Sequence, residues 1–346
     1  MNIPTLMTKV AALSGHPIPV SKQPAPYDAA DSLVIPADAS GQVRRVKPVR
    51  ELRNRVFTIR PGAGRNGEPL SLRMDVIVPE TPGTHPLVVF VPGGGFVMSA
   101  KAGGRRMRRA LAATGYVVAS IEYRTTRHGA TYRDGLADVR ASVRYLRANA
   151  TEYGIDPAHV ALWGESAGGY LVALAGVTNG DPRFDREGGA EIQAVIDKFG
   201  GSDLSRLAEG FDPATIDAVN SPGNAVARYV TGPRAVTIDD YPAAVVAADP
   251  ASYATSEAPP FLIFHGSDDR IISPVQTALL HRALRQAGAD STRYLVTGAG
   301  HGDLAVKGGE ERFWTTDSML RLMTEFLERA FASDPQAAGD PFDGAR

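Results

Sequence analysis

The stretch His159-Val160-Ala161-Leu162-Trp163-Gly164-Glu165-Ser166-Ala167-Gly168-Gly169-Tyr170 decides how the rest of the chain is read. Val160 to Trp163 is strand-like, and the run from Tyr170 to Val177 is helix-like. Gly-x-Ser-x-Gly joins them, which in this context is the mark of a nucleophile elbow. The turn is too tight for side chains at its flanks, so glycine stands on both sides. It holds a serine hydroxyl up at the end of a sheet, with a helix N-terminus behind it. A hydroxyl is a poor nucleophile until a base takes its proton. The elbow therefore requires a histidine, an acid and oxyanion donors elsewhere in the chain.

Outward from the elbow, strands and helices alternate. Val56 to Arg60 and Leu70 to Val78 read as strands joined by a turn. Leu87 to Val91 and Tyr116 to Ile121 are continuous apolar runs, as expected for strands buried on both faces. Ala194 to Phe199, Phe261 to Phe264 and Thr292 to Val296 follow as strands. Helical spacing marks Arg105 to Ala113, Leu136 to Ala148, Pro274 to Ala287 and Ser318 to Phe331. This rhythm predicts an α/β fold, a mainly parallel sheet with helices on both faces. Ligands in such sheets sit at the carboxyl ends of the strands.

Two segments break the rhythm. Residues 1–50 are rich in Pro and Ala and read as an N-terminal arm that packs on or over the body; residues 51–346 form the α/β domain. Prolines punctuate about 203–258, and a structureless loop of that length is unusual, so an inserted cap above the strand ends is expected.

The strand ends supply what the elbow requires. Among seven histidines, His301 in Gly298-Ala299-Gly300-His301-Gly302 follows the last predicted strand and is the expected base. His265 also ends a strand and is read as a support for the turn. The acid should lie between serine and histidine in the chain. His265-Gly266-Ser267-Asp268-Asp269 offers two adjacent carboxylates, which the residues alone do not separate. Oxyanion donors are expected at the Ala167 amide and in Pro92-Gly93-Gly94-Gly95-Phe96, where glycines let amides turn inward. Phe96 and Tyr170 are expected to line the substrate pocket, with the cap.

These four pieces together resemble the α/β-hydrolases, near the hormone-sensitive-lipase-like and feruloyl-esterase-like carboxylesterases, over a body of about residues 70–330. The resemblance implies a cleaver of small to medium acyl esters, through an acyl-enzyme on Ser166 with His301 as base. It selects Asp269, the fifth residue of a His-Gly-x-x-Asp pattern, over Asp268, and assigns the oxyanion amides to Gly94 and Gly95. Where that family's glycine loop begins with histidine, this chain has Pro92, whose fixed backbone angle offers a different brace. An amide hydrolase (an arylformamidase or small peptidase) shares the same triad. A non-catalytic binding protein on this fold is the rival from another class, and acyl transfer stays open.

Composition bounds the rest. With 43% hydrophobic residues, 22% charged and a formal net charge of −1, no bulk electrostatic attraction to nucleic acid or an anionic membrane is implied. It has no cysteine, hence no disulfide and no thiolate metal site; no cofactor or metal is expected. The early apolar run Val10 to Leu13 is too short for a signal-peptide core, and none reaches the ~18 apolar residues of a membrane span. A cytoplasmic location and a small-molecule ester partner are expected, with a homodimer left open. Arg105-Arg106-Met107-Arg108-Arg109 reads as a solvated helix face rather than a polyanion site. Gly62-Ala63-Gly64-Arg65-Asn66-Gly67 matches a dinucleotide fingerprint, but a strand follows it instead of a helix, so a hairpin turn is expected.

Overall fold

The computed structural model describes residues 18–38, 40–43, 47–302 and 310–332. Of the expected arm, residues 1–17, 39 and 44–46 lie outside the described residues, with Val10 to Leu13 among them. Nine strands form one sheet: β1 (Leu33–Pro36), β2 (Val49–Arg60), β3 (Leu70–Pro79), β4 (His85–Val91), β5 (Val117–Ile121), β6 (Ile155–Glu165), β7 (Ala194–Lys198), β8 (Phe261–Gly266) and β9 (Ser291–Thr297). Their spatial order is β1-β9-β8-β7-β6-β4-β5-β3-β2. Only β3 opposes its neighbours; the other pairs are parallel.

Strand β4 shows why the central runs lack alternation. Leu87, Val89 and Val91 enter one hydrophobic cluster, while Val88 and Phe90 enter another on the opposite face. Both faces are dry, so each position is apolar. The second face is covered by α1 (Arg105–Ala113) through Met107 and Leu111 and by α9 (Asp317–Ala332) through Met319, Met323 and Phe326. The first is covered by α2 (Tyr132–Ala148), by α4 (Ala167–Val177) and by α8 (Val275–Gln286). A single turn of helix, α3 (Ala150–Tyr153), leads into β6. Between β7 and β8 lie three seven-residue helices: α5 (Pro213–Val219), α6 (Ala225–Thr231) and α7 (Pro242–Ala248). Proline opens α5 and α7, and the Asp212 and Asn224 side chains cap α5 and α6 by accepting from Thr215 and Ala227 amides.

The structure departs from the sequence reading in three places. β1 lies in the expected irregular arm; only four residues long, it pairs with β9 some 260 positions away, so no local pattern marks it. β2 begins at Val49 rather than Val56, because this edge strand carries exposed charges and irregular register that hide its period. The basic cluster is not one solvated face. Arg105 and Arg109 pair with Glu51 on β2, and Arg108 is buried, donating to the Gly103 and Lys101 carbonyls at 2.8 and 2.9 Å. The Gly62 to Gly67 segment does join β2 and β3 as an antiparallel hairpin.

Candidate active site

At the end of β6, Ser166 adopts φ 56° and ψ −122°, a left-handed-side conformation that a non-glycine residue holds only when its surroundings enforce it. The glycines are that enforcement. A Cβ on Gly164 would lie 2.3 Å from the Gly168 carbonyl oxygen, and one on Gly168 would lie 2.0 Å from that of Val91. Gly169 faces Asp197 of β7, whose Oδ1 a Cβ there would approach to 2.3 Å.

Asp197 is fully buried beneath the elbow. Its Oδ1 accepts from the Gly200 amide at 3.0 Å, and its Oδ2 has no partner among the described residues. Burial pushes its carboxyl up to about 7, against the Gly200 amide and the more distant Arg293. A raised carboxyl pKa means that the folded state binds the proton more tightly than the unfolded chain does. Stability is then fully present at acid pH and is lost as pH rises from near 4 through about 7. Melting curves of Asp197→Asn and wild type should show the variant gaining relative Tm between pH 5 and pH 8. A difference that does not change with pH would refute this reading.

His301, on the loop after β9, is 3% exposed. Its Nε2 lies 2.9 Å from Ser166 Oγ, and its Nδ1 lies 2.6 Å from Asp269 Oδ2. A carboxylate only accepts, so Nδ1 carries the proton and Nε2 is free to accept from the serine hydroxyl. The Phe199 ring packs on the imidazole at 4.6 Å and on Trp314 at 5.0 Å, so the His301 ring is held from the side as well. The loops that carry Asp269 and His301 touch: a Cβ on Gly266 would lie 2.2 Å from the Ala299 oxygen.

Of the two adjacent acids, Asp269 meets His301, while Asp268 accepts from the Ser267 hydroxyl at 3.0 Å. Asp269 Oδ1 accepts from the amides of Ile271 and Ile272 at 2.9 and 3.0 Å. Its Oδ2 is shared between His301 and His265, the latter at 3.1 Å. Burial pushes this carboxyl up, but the two histidines outweigh it and hold it well below the usual carboxylate range.

The glycine loop after β4 turns back on itself. The Val97 and Met98 amides both donate to the Gly94 carbonyl at 3.0 Å, and Gly95 and Phe96 are consecutive left-handed residues (φ 59° and 61°). Gly93 lies against the elbow, 3.0 Å from Ser166 Cβ if a Cβ is added. Pro92 offers no N–H; its carbonyl instead accepts from the Tyr123 hydroxyl at 2.8 Å. Tyr123 is fully buried just past β5, and sequence reasoning missed it because nothing local links the two loops.

Above Ser166 and His301 lies a largely apolar cavity of about 350 Å³. Phe96 lines it, together with Leu207, Val219 and Val226 from the segment between β7 and β8, Ile272, and Ile18 from the arm. Tyr170 does not: it is fully buried behind Phe96, edge-on at 5.6 Å, with its hydroxyl donating to the Ala248 carbonyl at 2.7 Å. It sits one turn into α4, on the side that faces the core. Tyr229 of α6 stacks on the Phe96 ring at 4.7 Å and was not expected at the site. The arm, expected to pack on or over the body, reaches the cavity wall through Ile18. It is tied down where the Ser21 amide donates to the Arg270 carbonyl at 2.8 Å and the Ser21 hydroxyl donates to Asp212 at 3.0 Å.

Sheet order, elbow and strand-end site together define an α/β-hydrolase. The BD-FAE family model matches residues 74–284, and the chain belongs to that family. It is 35% identical over 227 residues to the esterase LipC of Mycobacterium tuberculosis, covering 63% of this chain and 53% of that protein. It is 32% identical over 200 residues to the same organism's probable carboxylic ester hydrolase LipM, covering 57% and 44%. The chain thus spans about half the length of the curated relatives it matches. Among solved structures it resembles a thermophilic esterase of Thermogutta terrifontis with propionate bound (TM-score 0.59, 25% identity, 84% of this chain and 95% of that one). A truncated carbohydrate esterase from gut microbiota shares the fold (TM-score 0.65, 24% identity, 86% and 99%). No helix among the described residues is long and apolar enough to cross a membrane.

Proposed function

We propose that this chain is a serine hydrolase that cleaves carboxylic esters of small to medium acyl groups through an acyl-enzyme. The observation that carries the reading is the 2.9 Å contact of Ser166 Oγ with His301 Nε2 at the floor of an apolar cavity. Ser166 attacks the ester carbonyl as His301 takes its proton. The amides of Gly94, Gly95 and Ala167 receive the developing oxyanion. His301 then protonates the leaving alcohol and activates water against the acyl-enzyme. Asp269 keeps the imidazole in the needed tautomer and faces the positive charge that forms. Phe96 meets the substrate, and the 203–258 segment acts as a cap over it. At about 350 Å³, the cavity is at the small end of ligand pockets, which favours short acyl chains. The relatives named esterases support the same chemistry, as does propionate in the Thermogutta terrifontis enzyme.

The test is turnover of p-nitrophenyl esters from acetate to dodecanoate, with fluorophosphonate labelling of the intact protein. Activity should peak at the short chains, with one label on Ser166. No turnover together with no labelling would overturn the reading.

Gly94→Ala is a sharper probe of the oxyanion loop. Its Cβ would lie 2.1 Å from the Met98 carbonyl oxygen, which is backbone and cannot swing away. The loop must move, and a displaced oxyanion donor costs about 10²–10³ in kcat. Steady-state kinetics should show that loss mainly in kcat. A variant with wild-type kcat would remove Gly94 from the site.

A further inference from the structure

The ring of His265 is the least explained group near the site. It is fully buried, and it touches neither the cavity nor the serine. Its Nδ1 lies 2.9 Å from Thr277 Oγ1, and its Nε2 lies 3.1 Å from both Asp269 Oδ2 and the Ile272 carbonyl oxygen. Thr277 Oγ1 in turn takes a hydrogen bond from Arg293 Nε at 3.0 Å. Arg293 is itself buried, and its other nitrogens donate to the Ser32 hydroxyl at 2.6 Å and the Pro274 carbonyl at 3.0 Å.

The guanidinium at one end and the two oxygens at the other set the direction of the protons between them. A guanidinium can only donate, so Thr277 Oγ1 accepts from Arg293. The one threonine proton then goes to the nearer acceptor, His265 Nδ1 at 2.9 Å, rather than to the Pro274 carbonyl at 3.4 Å. Nε2 faces two acceptors, Asp269 Oδ2 and the Ile272 carbonyl oxygen, so the ring's proton resides on Nε2 and Nδ1 accepts from Thr277. The opposite tautomer would aim an Nε2 lone pair at two oxygens. The charged and titratable groups that face the ring are Asp269, His301 and Arg293. Burial, opposed by Asp269 and aided by Arg293, lowers the pKa of His265, which favours the neutral ring.

We propose that His265 is a positioning residue: a neutral, Nε2-protonated imidazole that donates to Asp269 Oδ2 and so fixes the carboxylate that orients His301. The proposal rests on the triad reading above and extends it backward through Thr277 to Arg293. Asp269 then receives four N–H donors, two on each oxygen, and its plane cannot rotate. Without His265, Oδ2 would hold only His301. The carboxylate would tilt, and its negative charge would bear more strongly on the imidazolium.

Two polar substitutions separate this role from simple packing. In His265→Gln the terminal amide reaches the Nε2 position and can still donate to Asp269. In His265→Asn the amide reaches only the Nδ1 position, toward Thr277. The Asn variant should lose about 10- to 100-fold in kcat with KM unchanged. Its acid limb of kcat/KM should also move to higher pH, because the protonated form of the base gains stability. The Gln variant should retain most of the rate and the original limb. Equal behaviour of the two variants, or a worse Gln, would overturn the proposal. A readout independent of turnover keeps this apart from the proposed function. In the wild-type protein, ¹⁵N shifts of the His265 ring should report the neutral Nε2–H tautomer across the range where the protein is folded. An Nδ1–H ring or an imidazolium would overturn the proposal even if ester turnover is found. Absent turnover with the expected tautomer would sink the esterase reading alone.

Discussion

Ser166→Ala should lower kcat on p-nitrophenyl butyrate by about a million-fold, the scale of loss seen when a triad nucleophile is removed. The change deletes the atom that would become the acyl carrier and leaves the scaffold intact. The elbow conformation is set by Gly164 and Gly168, whose contacts are backbone to backbone, and by the Ser166 amide donating to the Lys198 carbonyl at 3.0 Å. None of these needs the hydroxyl, so the variant should fold with an unchanged circular dichroism spectrum. The Oγ hydrogen bond to His301 is lost, which lowers stability by roughly 0.5–1.5 kcal/mol. Binding of a non-hydrolysable ester analogue should persist, because the apolar walls around Phe96, Val219 and Ile272 are untouched. Residual turnover would come from the oxyanion amides alone. A variant retaining a thousandth or more of wild-type kcat, measured after purification free of host esterases, would place the nucleophile elsewhere. Fluorophosphonate labelling should vanish in parallel, and a label that persists would likewise point to a different nucleophile.

What sequence made legible follows from which constraints are local. The elbow is a local object: five residues must turn from strand to helix, and steric exclusion writes itself as glycine at 164 and 168. The central strands are legible because burial on both faces admits only apolar residues over Leu87 to Val91. His301 could be found because it is a histidine in a glycine-rich loop after a strand, and strand ends in a parallel sheet converge on one rim. Residues alone left Asp268 and Asp269 open, since adjacent side chains differ only in direction, and direction comes from the fold. The resemblance chose Asp269, the carboxylate that faces His301. Contacts between distant loops left no local trace: Ile18 in the cavity wall, Tyr123 under Pro92 and Tyr229 against Phe96. Tyr170 misled for a related reason. An aromatic four residues past Ser166 is near the site in sequence, yet the helix turns it inward, away from the cavity.

Asp269→Asn should cost about ten-thousand-fold in kcat, and the geometry says why a change of one atom does so much. The carboxylate has two unlike sides. Oδ1 takes two backbone amides, from Ile271 and Ile272, whose positions are fixed by the loop; Oδ2 takes two imidazole N–H groups, from His301 and His265. An asparagine must choose. With its oxygen on the backbone side, both amides stay satisfied, and the NH₂ then points at His301 Nδ1 and His265 Nε2. His265 can keep its Nε2 proton by turning it to the Ile272 carbonyl, but His301 Nδ1 has no other partner among the described residues and must offer a lone pair. For His301 the proton moves to Nε2, which now faces Ser166 Oγ with a hydrogen instead of a lone pair. The ring can no longer take the serine proton. With the amide flipped, two backbone N–H groups confront an NH₂ in a fully buried site, at a cost of about 1–3 kcal/mol for each unsatisfied donor. The first arrangement therefore wins, and the variant is folded, binds substrate and is inactive near neutral pH. KM should stay close to wild type, since Asp269 does not line the cavity. Stability adds a second signature. The wild-type carboxyl is held below its usual range, so its contribution is present above the unfolded-state pKa and is lost as pH falls toward the folded value. Asp269→Asn removes that titration. Wild type should lose Tm on going from pH 6 to pH 3 by more than the variant does. Near wild-type kcat in a variant shown by melting to be folded would mean that some other acid orients His301.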